Sequence, residues 1–189
     1  MIKIGILGDI GSGKSFVAKS FGYPVFDADN EVAKIYKKNK ICFIKLKKLF
    51  PKYIKSFPIN KTELKSAILS NKNNIKKISR VVHPIVRKKL NLFLLKNKKR
   101  KLVILDIPLL LENKIKIKDT ILVFVEAKKS DISKRLSKRK SFNSKIFKRL
   151  KEIQLPLDYK RRKSNYIIKN YHTKKFVRKS VKNLLRKIL

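Results

Sequence analysis

The stretch Gly8-Asp9-Ile10-Gly11-Ser12-Gly13-Lys14-Ser15 fits the pattern G-x-x-x-x-G-K-[ST] in full. The chemistry it supports is anion capture. Glycines let the backbone curl until successive N–H groups point inward at phosphate oxygens. A helix opening directly behind them adds the positive end of its dipole. Lys14 brings a mobile ammonium to the β and γ phosphates, and Ser15 offers a hydroxyl to Mg²⁺. Gly8, Gly11, Ser12, Gly13, Lys14, Ser15 and the adjoining Phe16 are therefore the candidate nucleotide site, with a nucleoside triphosphate and Mg²⁺ as the expected ligands. Asp9 is the odd member. Bound phosphate repels a carboxylate, so its side chain is expected to face solvent or a basic neighbour.

A second chemistry-bearing group, Asp27-Ala28-Asp29, follows a short strand pattern at Pro24-Val25-Phe26. In a doubly wound sheet that strand end lies on the same edge as the phosphate loop. A carboxylate there can take a proton from an attacking hydroxyl or hold it in line with the γ phosphate. Either aspartate alone also suits a helix cap, and Asp29 or Asn30 is the expected cap of the next helix. Asp106 ends the apolar run Leu102-Val103-Ile104-Leu105. It could hold a Mg²⁺-bound water or orient Ser15, or serve structure alone. A GTPase would need Asn-Lys-x-Asp, which Asn60-Lys61-Thr62-Glu63 and Asn113-Lys114-Ile115-Lys116 both miss. Neither Asp27 nor Asp106 begins Asp-x-x-Gly. A small-molecule kinase fits this length better than a large motor does.

The elements that must position these groups alternate between strand and helix. Strands are expected over 2–7, 24–26, 102–105, 120–125 and 166–168. Helices are expected over 14–21, from 29 or 30 onward, through much of 41–97 with Pro84 as punctuation, over 130–163 with a loop near 141–144, and over 174–188. The fold class is α/β, with a mainly parallel five-stranded sheet and helices on both faces. The helical stretch between Glu31 and Lys101 is too long for one crossover. An insertion over about 31–100 is expected within a single domain whose core spans about 1–30 and 101–189.

The chain has 189 residues, enough for a substantial core. It carries 52 Lys+Arg against 12 Asp+Glu, a formal charge of +40. The lysines spread from Lys3 to Lys187 and do not alternate with aromatics as in an RNA-binding surface. The charge is read as compositional drift plus a field that attracts small polyanions, with no specific nucleic-acid partner. Cys42 is the single cysteine and His83 and His172 the two histidines, which leaves no disulfide and no zinc motif. Cys42 is expected to be a buried apolar residue. No apolar run approaches the ~20 residues that span a bilayer. The start of the chain has no signal-peptide pattern, so a cytoplasmic location is expected.

These motifs together resemble the dephospho-CoA kinase family over nearly the whole chain. The family's start is similar to Ile4 through Ser15, its Asp-Ala-Asp to Asp27-Ala28-Asp29, and its His-Pro to His83-Pro84. Its Pro-Leu-Leu-x-Glu looks like Pro108-Leu109-Leu110-Leu111-Glu112. Its late segment is similar to Gln154-Leu155-Pro156-Leu157-Asp158-Tyr159-Lys160, followed by a strand and Asn170. The resemblance implies ATP-dependent phosphorylation of the ribose 3′-hydroxyl of dephospho-CoA, giving CoA and ADP. It implies Asp29 as the base, a substrate-side role for His83, a nucleotide contact for Asn170, a helical acceptor-binding region and a lid over about 139–155. Arg135 and Arg139, four residues apart on one helix face, could reach bridging phosphates or form a solvated basic face. Glu112 reads as a substrate contact or as the partner of a lysine.

The sequence also departs from the family. Leu7 and Asp9 stand where the family has Thr and Gly, and the stretch from Phe21 to Asp27 is short. Leu150 takes the spacing of a family arginine, with Arg149 one residue earlier. Ser164-Asn165 replaces Ala-Asp, and the glycine after Asn170 is missing at Tyr171-His172. On the residues alone, another small-molecule kinase of the nucleotide or shikimate type, or a basic nucleic-acid-binding ATPase, are the alternatives.

Overall fold

The computed structural model describes residues 1–112, 118–138, 142–171 and 173–189. The chain forms two compact units. The first comprises Met1–Asp27, Lys96–Phe142 and Ile153–Leu189; the second comprises Ala28–Leu95 and Asn143–Glu152.

The first unit holds β1 (Ile2–Gly8), α1 (Lys14–Ser20), β2 (Val25–Asp27), β3 (Leu102–Asp106) and β4 (Thr120–Glu126). The second holds α2 (Ala28–Lys38), α3 (Lys40–Leu49), α4 (Lys61–Ser70) and α5 (Asn74–Lys96), whose last residue belongs to the first unit. The first unit continues with α6 (Lys129–Ser137), the second with α7 (Ser144–Glu152). The first then closes with α8 (Leu157–Arg162), β5 (Tyr166–Lys169) and α9 (Lys174–Ile188).

The strands form one sheet in the order β2-β3-β1-β4-β5, and every neighbouring pair is parallel. The central strands read as near-continuous apolar runs because both their faces are covered. All five residues of β3 are buried. Along β1, Ile4 and Ile6 pack with Leu102, Ile104, Val123 and Val125 against Val17 and Ala18 of α1 and Val177, Val181 and Leu184 of α9. Gly5, which points to the other face, has no room for a side chain. A Cβ there would meet Leu110 Cδ2 at 2.8 Å.

Two expected boundaries differ from those observed. The helix after β2 begins at Ala28, so neither Asp29 nor Asn30 caps it, and Asp29 sits in its first turn. A carboxylate there still meets the positive end of the helix dipole. Pro84 does not punctuate α5, which runs unbroken for 23 residues. An interior proline costs a helix about 3 kcal/mol. Burial of Ile75, Ile78, Val82, Val86 and Leu90, spaced three or four apart, offsets that. The basic stretch 130–163 divides into α6, α7 and α8, the last opening at Pro156. Cys42 is buried, as expected. Among the described residues, no helix is long and apolar enough to cross a membrane.

Side-chain caps fix the starts of several helices. Asn39 Oδ1 accepts the Cys42 N–H at 2.8 Å and starts α3. Asn60 does the same for α4 through Thr62 N–H, and Thr173 for α9 through Phe176 N–H. In α7, Arg149 donates to the carbonyls of Ile68 and Leu69 in the last turn of α4. Those carbonyls have no partner within their own helix, so the arginine serves as a C-terminal cap. Asn39→Ala is expected to cost about 1 kcal/mol of stability and Asn39→Ser much less, read by thermal denaturation of the two variants beside the wild type.

Candidate active site

The carboxyl ends of parallel strands leave a crevice where loops meet helix N-termini. Between β1 and α1 the chain turns through left-handed glycines, with φ of +85° at Gly11 and +91° at Gly13. L side chains rarely adopt that backbone. Space forbids one as well: a Cβ on Gly13 would run into Asn170 Nδ2. Ser12 N–H donates to Asp9 carbonyl at 3.1 Å, which closes the turn. Lys14 Nζ donates to the carbonyls of Asp9, at 2.8 Å, and Gly8, at 3.4 Å.

Asp9 does not face solvent. It is buried, and its Oδ1 accepts the adjacent Ile10 N–H at 2.6 Å. This bond folds the carboxylate back onto the loop's own backbone, which resolves the oddity of an acid in a phosphate cradle.

Two residues from distant parts of the chain brace the loop from behind. Arg135 of α6 donates through Nη1 to Ser12 carbonyl at 3.0 Å and through Nη2 to Asn170 carbonyl at 2.9 Å. Asn170, buried just after β5, donates Nδ2 to Ser12 carbonyl at 2.7 Å. Carbonyls of the loop are thus tied down, which leaves its N–H groups oriented the other way. Ser12 Oγ is fully buried and has no hydrogen-bond partner among the described residues. Phe16 packs against the core between α1 and its neighbours.

On the other side of the loop, β2 and β3 end in register at Asp27 and Asp106. Asp106 is buried, with the Ser15 side chain close enough to act on its carboxyl. Burial pushes that carboxyl above the ordinary 3.8; the Ser15 hydroxyl and the Lys14 charge oppose that rise, and the Asp27 charge adds to it. A hydroxyl and two carboxylates are the hard oxygen donors that Mg²⁺ takes, alongside waters and phosphate oxygens. The residues present therefore fit this ion. Among the described residues no group of three or more His, Cys, Asp or Glu side chains could hold a metal ion.

The remaining candidates are spread over both units. Asp29 opens the second unit, two residues along the chain from Asp27. His83 lies mid-way along α5, where burial, then the Arg87 charge, lowers its pKa from the ordinary 6.5 and keeps it neutral at pH 7. Arg139 lies outside the described residues, as do the first residues of the expected lid. The rest of that lid divides between α7, in the second unit, and 153–155, in the first.

Of the two readings for Glu112, the lysine partnership is the one observed: its Oε1 binds Lys160 Nζ at 2.6 Å. Sequence reasoning missed which lysine this is and missed two further contacts. Glu112 Oε1 also accepts Leu155 N–H at 3.0 Å. Gln154 Nε2 donates to Gly8 carbonyl at 3.3 Å. Nothing local marks one lysine among 52 basic residues as the buried one. The signal available was the co-occurrence of Glu112 with the Gln154–Lys160 segment in the family pattern.

An all-parallel sheet, a phosphate loop opening α1 and an acidic strand end facing its serine define a P-loop small-molecule kinase. The family model for dephospho-CoA kinase matches residues 2–175. A dephospho-CoA kinase of Wolbachia pipientis wMel is 36% identical over 187 residues, covering 96% of this chain and 95% of that one. A Thermus thermophilus protein, TT1252, superimposes with a TM-score of 0.77 at 29% identity, covering 100% of this chain and 98% of that one. A Campylobacter jejuni dephospho-CoA kinase gives 0.65 at 23% identity, covering 98% and 96%, and shares the fold. The chain belongs to the dephospho-CoA kinase family. A kinase of the shikimate type is thereby set aside.

The raised Asp106 pKa makes a signed prediction. An acid with a raised folded pKa binds more protons folded than unfolded between the ordinary and raised values, so stability falls as pH rises through that window. In the absence of nucleotide and metal, Asp106→Asn is expected to melt at or above the wild-type temperature at pH 7. That advantage should shrink as pH drops toward 3.8. Phosphotransfer by the variant should fall at least about tenfold. A variant clearly less stable than wild type at pH 7 would show that the carboxylate's contacts outweigh its burial.

Proposed function

We propose that the chain transfers the γ-phosphoryl group of ATP to the ribose 3′-hydroxyl of dephospho-CoA, giving CoA and ADP. The observation that carries this reading is the braced phosphate loop facing the Ser15–Asp106 pair in a chain of this family. The backbone N–H groups of residues 11–15 bind the β and γ phosphates. Lys14 leaves the carbonyls of Gly8 and Asp9, which hold its ammonium in the absence of ligand, and moves onto the bridging region. Ser15, with Asp106 and Asp27 behind it, would hold Mg²⁺, which when bound neutralises charge on the phosphates.

Asp29 is the base of this reading. It takes the proton of the 3′-hydroxyl as that oxygen bonds to the γ phosphorus and the bond to the ADP oxygen breaks. Two residues beyond Asp27, its backbone stays within ~7 Å of the strand end, at the N-terminal end of α2. Neutral His83 and Arg139 complete it, the first on the acceptor and the second on the departing phosphate. Arg135 holds the loop through Nη1 and Nη2, and its guanidinium has further N–H donors for a substrate phosphate. The charge of +40 raises the local concentration of both polyanionic substrates. No specific nucleic-acid partner is invoked.

Lys14→Ala is expected to lower turnover at least about a hundredfold with the fold retained, since it removes the mobile charge on the phosphates. Acceptor-dependent ADP release, with dephospho-CoA against a panel of other hydroxyl acceptors, is the assay. Near wild-type turnover in the folded variant would sink the reading. Asp29→Asn keeps shape but loses the basic oxygen. It should cut kcat by about a hundredfold or more and leave ATP affinity within a few-fold. Asp27→Asn should act on Mg²⁺ dependence instead; a fully active Asp29→Asn beside an inactive Asp27→Asn reverses the two assignments.

A further inference from the structure

The segment after α7 is anchored to the first unit by one buried carboxylate. Glu112 and Lys160 form an ion pair at 2.6 Å with side chains only 9% and 3% exposed. Leu155 N–H shares the same Glu112 oxygen at 3.0 Å. A lysine this buried is held in place by its partner, because an unpaired charge in such surroundings is strongly unfavourable. The two attachments flank Pro156, whose φ of −51° fixes the turn into α8. Gln154, next to the pinned Leu155, therefore has little freedom in where its side chain starts.

That side chain ends on the phosphate loop. Gln154 Nε2 donates to Gly8 carbonyl, the same oxygen that takes Lys14 Nζ at 3.4 Å. The two donors differ in one respect. Lys14 must leave this oxygen to reach phosphate, whereas Gln154 carries no charge to draw it there and its neighbour is pinned. Once the ammonium has gone, the glutamine is the side chain that stays on the carbonyl.

We propose that Gln154, held by the Glu112–Lys160 ion pair, is a positioning residue for the phosphate loop, keeping Gly8 carbonyl engaged when Lys14 moves to the nucleotide. The proposal rests on the role given to Lys14 above. Gln154 touches no reacting atom in this scheme; it lowers the cost of releasing the lysine and keeps the loop in its phosphate-binding shape. The effect belongs to ATP capture and not to the acceptor.

The test is a double-mutant cycle on the full chain, with steady-state kinetics and calorimetric titration of ATP. Gln154→Ala removes a partly buried side chain outside the core and should change the melting temperature little. It is expected to raise the ATP KM and the ATP Kd about tenfold, the weight of one lost hydrogen bond in a preorganised site. The KM for dephospho-CoA should stay within twofold and kcat should change little. Lys160→Met, or Glu112→Gln if that variant does not fold, should reproduce the ATP shift with a lower melting temperature. In the Gln154→Ala background it should add nothing further to KM, because both changes remove one function. Wild-type ATP affinity in Gln154→Ala, or ATP effects that multiply in the double variant, overturns the proposal. Lys14→Ala separates this from failure of the underlying reading: if that variant keeps its turnover the phosphate-loop role itself is wrong, whatever Gln154 does.

Discussion

The close approach of the loop between β1 and α1 to Asn170 is the constraint on which the rest of the structure depends. Its backbone must take a left-handed course at Gly11 and Gly13, and it must do so against a neighbour that leaves no space for a Cβ. A loop left to itself would not hold that course, given the entropy that glycine loses on ordering. Two donors from elements far along the chain, Arg135 and Asn170, fix its carbonyls. The order of the sheet makes this possible. With β4 and then β5 on one side of β1, the ends of α6 and β5 arrive behind the loop, while β3 and then β2 on the other side deliver Asp106 and Asp27 toward Ser15.

Charge is handled differently inside and out. The exterior carries an excess of cations that repel each other, a destabilising field set against substrate attraction. The interior admits few polar groups, and these are placed with care. Asp9 is turned onto its own loop, Asp106 onto Ser15, and Lys160 onto Glu112. In a chain so short of acids, several of the twelve carboxylates stand where they restrain the site or face its phosphate end. Each of these positions answers a local electrostatic demand that an exposed lysine does not.

The departures from the family pattern have physical accounts in three places. Asp9 satisfies a backbone donor that glycine would leave to the loop. Arg149 caps α4, using the basic side chain one position from where the family keeps its own. Asn165 accepts the Leu122 N–H at 2.8 Å and donates its own N–H to Leu122 carbonyl at the same distance, which starts the pairing of β5 with β4. A small polar side chain is enough for that join. Nothing in the structure explains Leu7 in place of the family threonine beyond its burial.

Much of this was legible in the chain itself. Periodicity placed the strands and the last helix, because an apolar run bounded by turn residues has few other solutions. The phosphate loop was legible because its conformation demands glycine at fixed spacing and its chemistry demands Lys14 and Ser15. Local signals failed where the outcome depends on what packs alongside. Pro84 breaks isolated helices, yet the buried stripe around it carries α5 through. Asp29 resembles a cap, yet β2 feeds the helix one residue earlier. The braces on the loop, the buried Lys160 and the Gln154 contact were decided by tertiary structure alone. Each joins residues far apart in the chain, up to 158 positions in the case of Asn170 and Ser12. An arginine, a lysine or a glutamine in a basic sequence has the same local appearance whether it ends in solvent or on a carbonyl. Composition and spacing specify which groups a chain has, whereas only the packed sheet determines which of them lose water and must find each other.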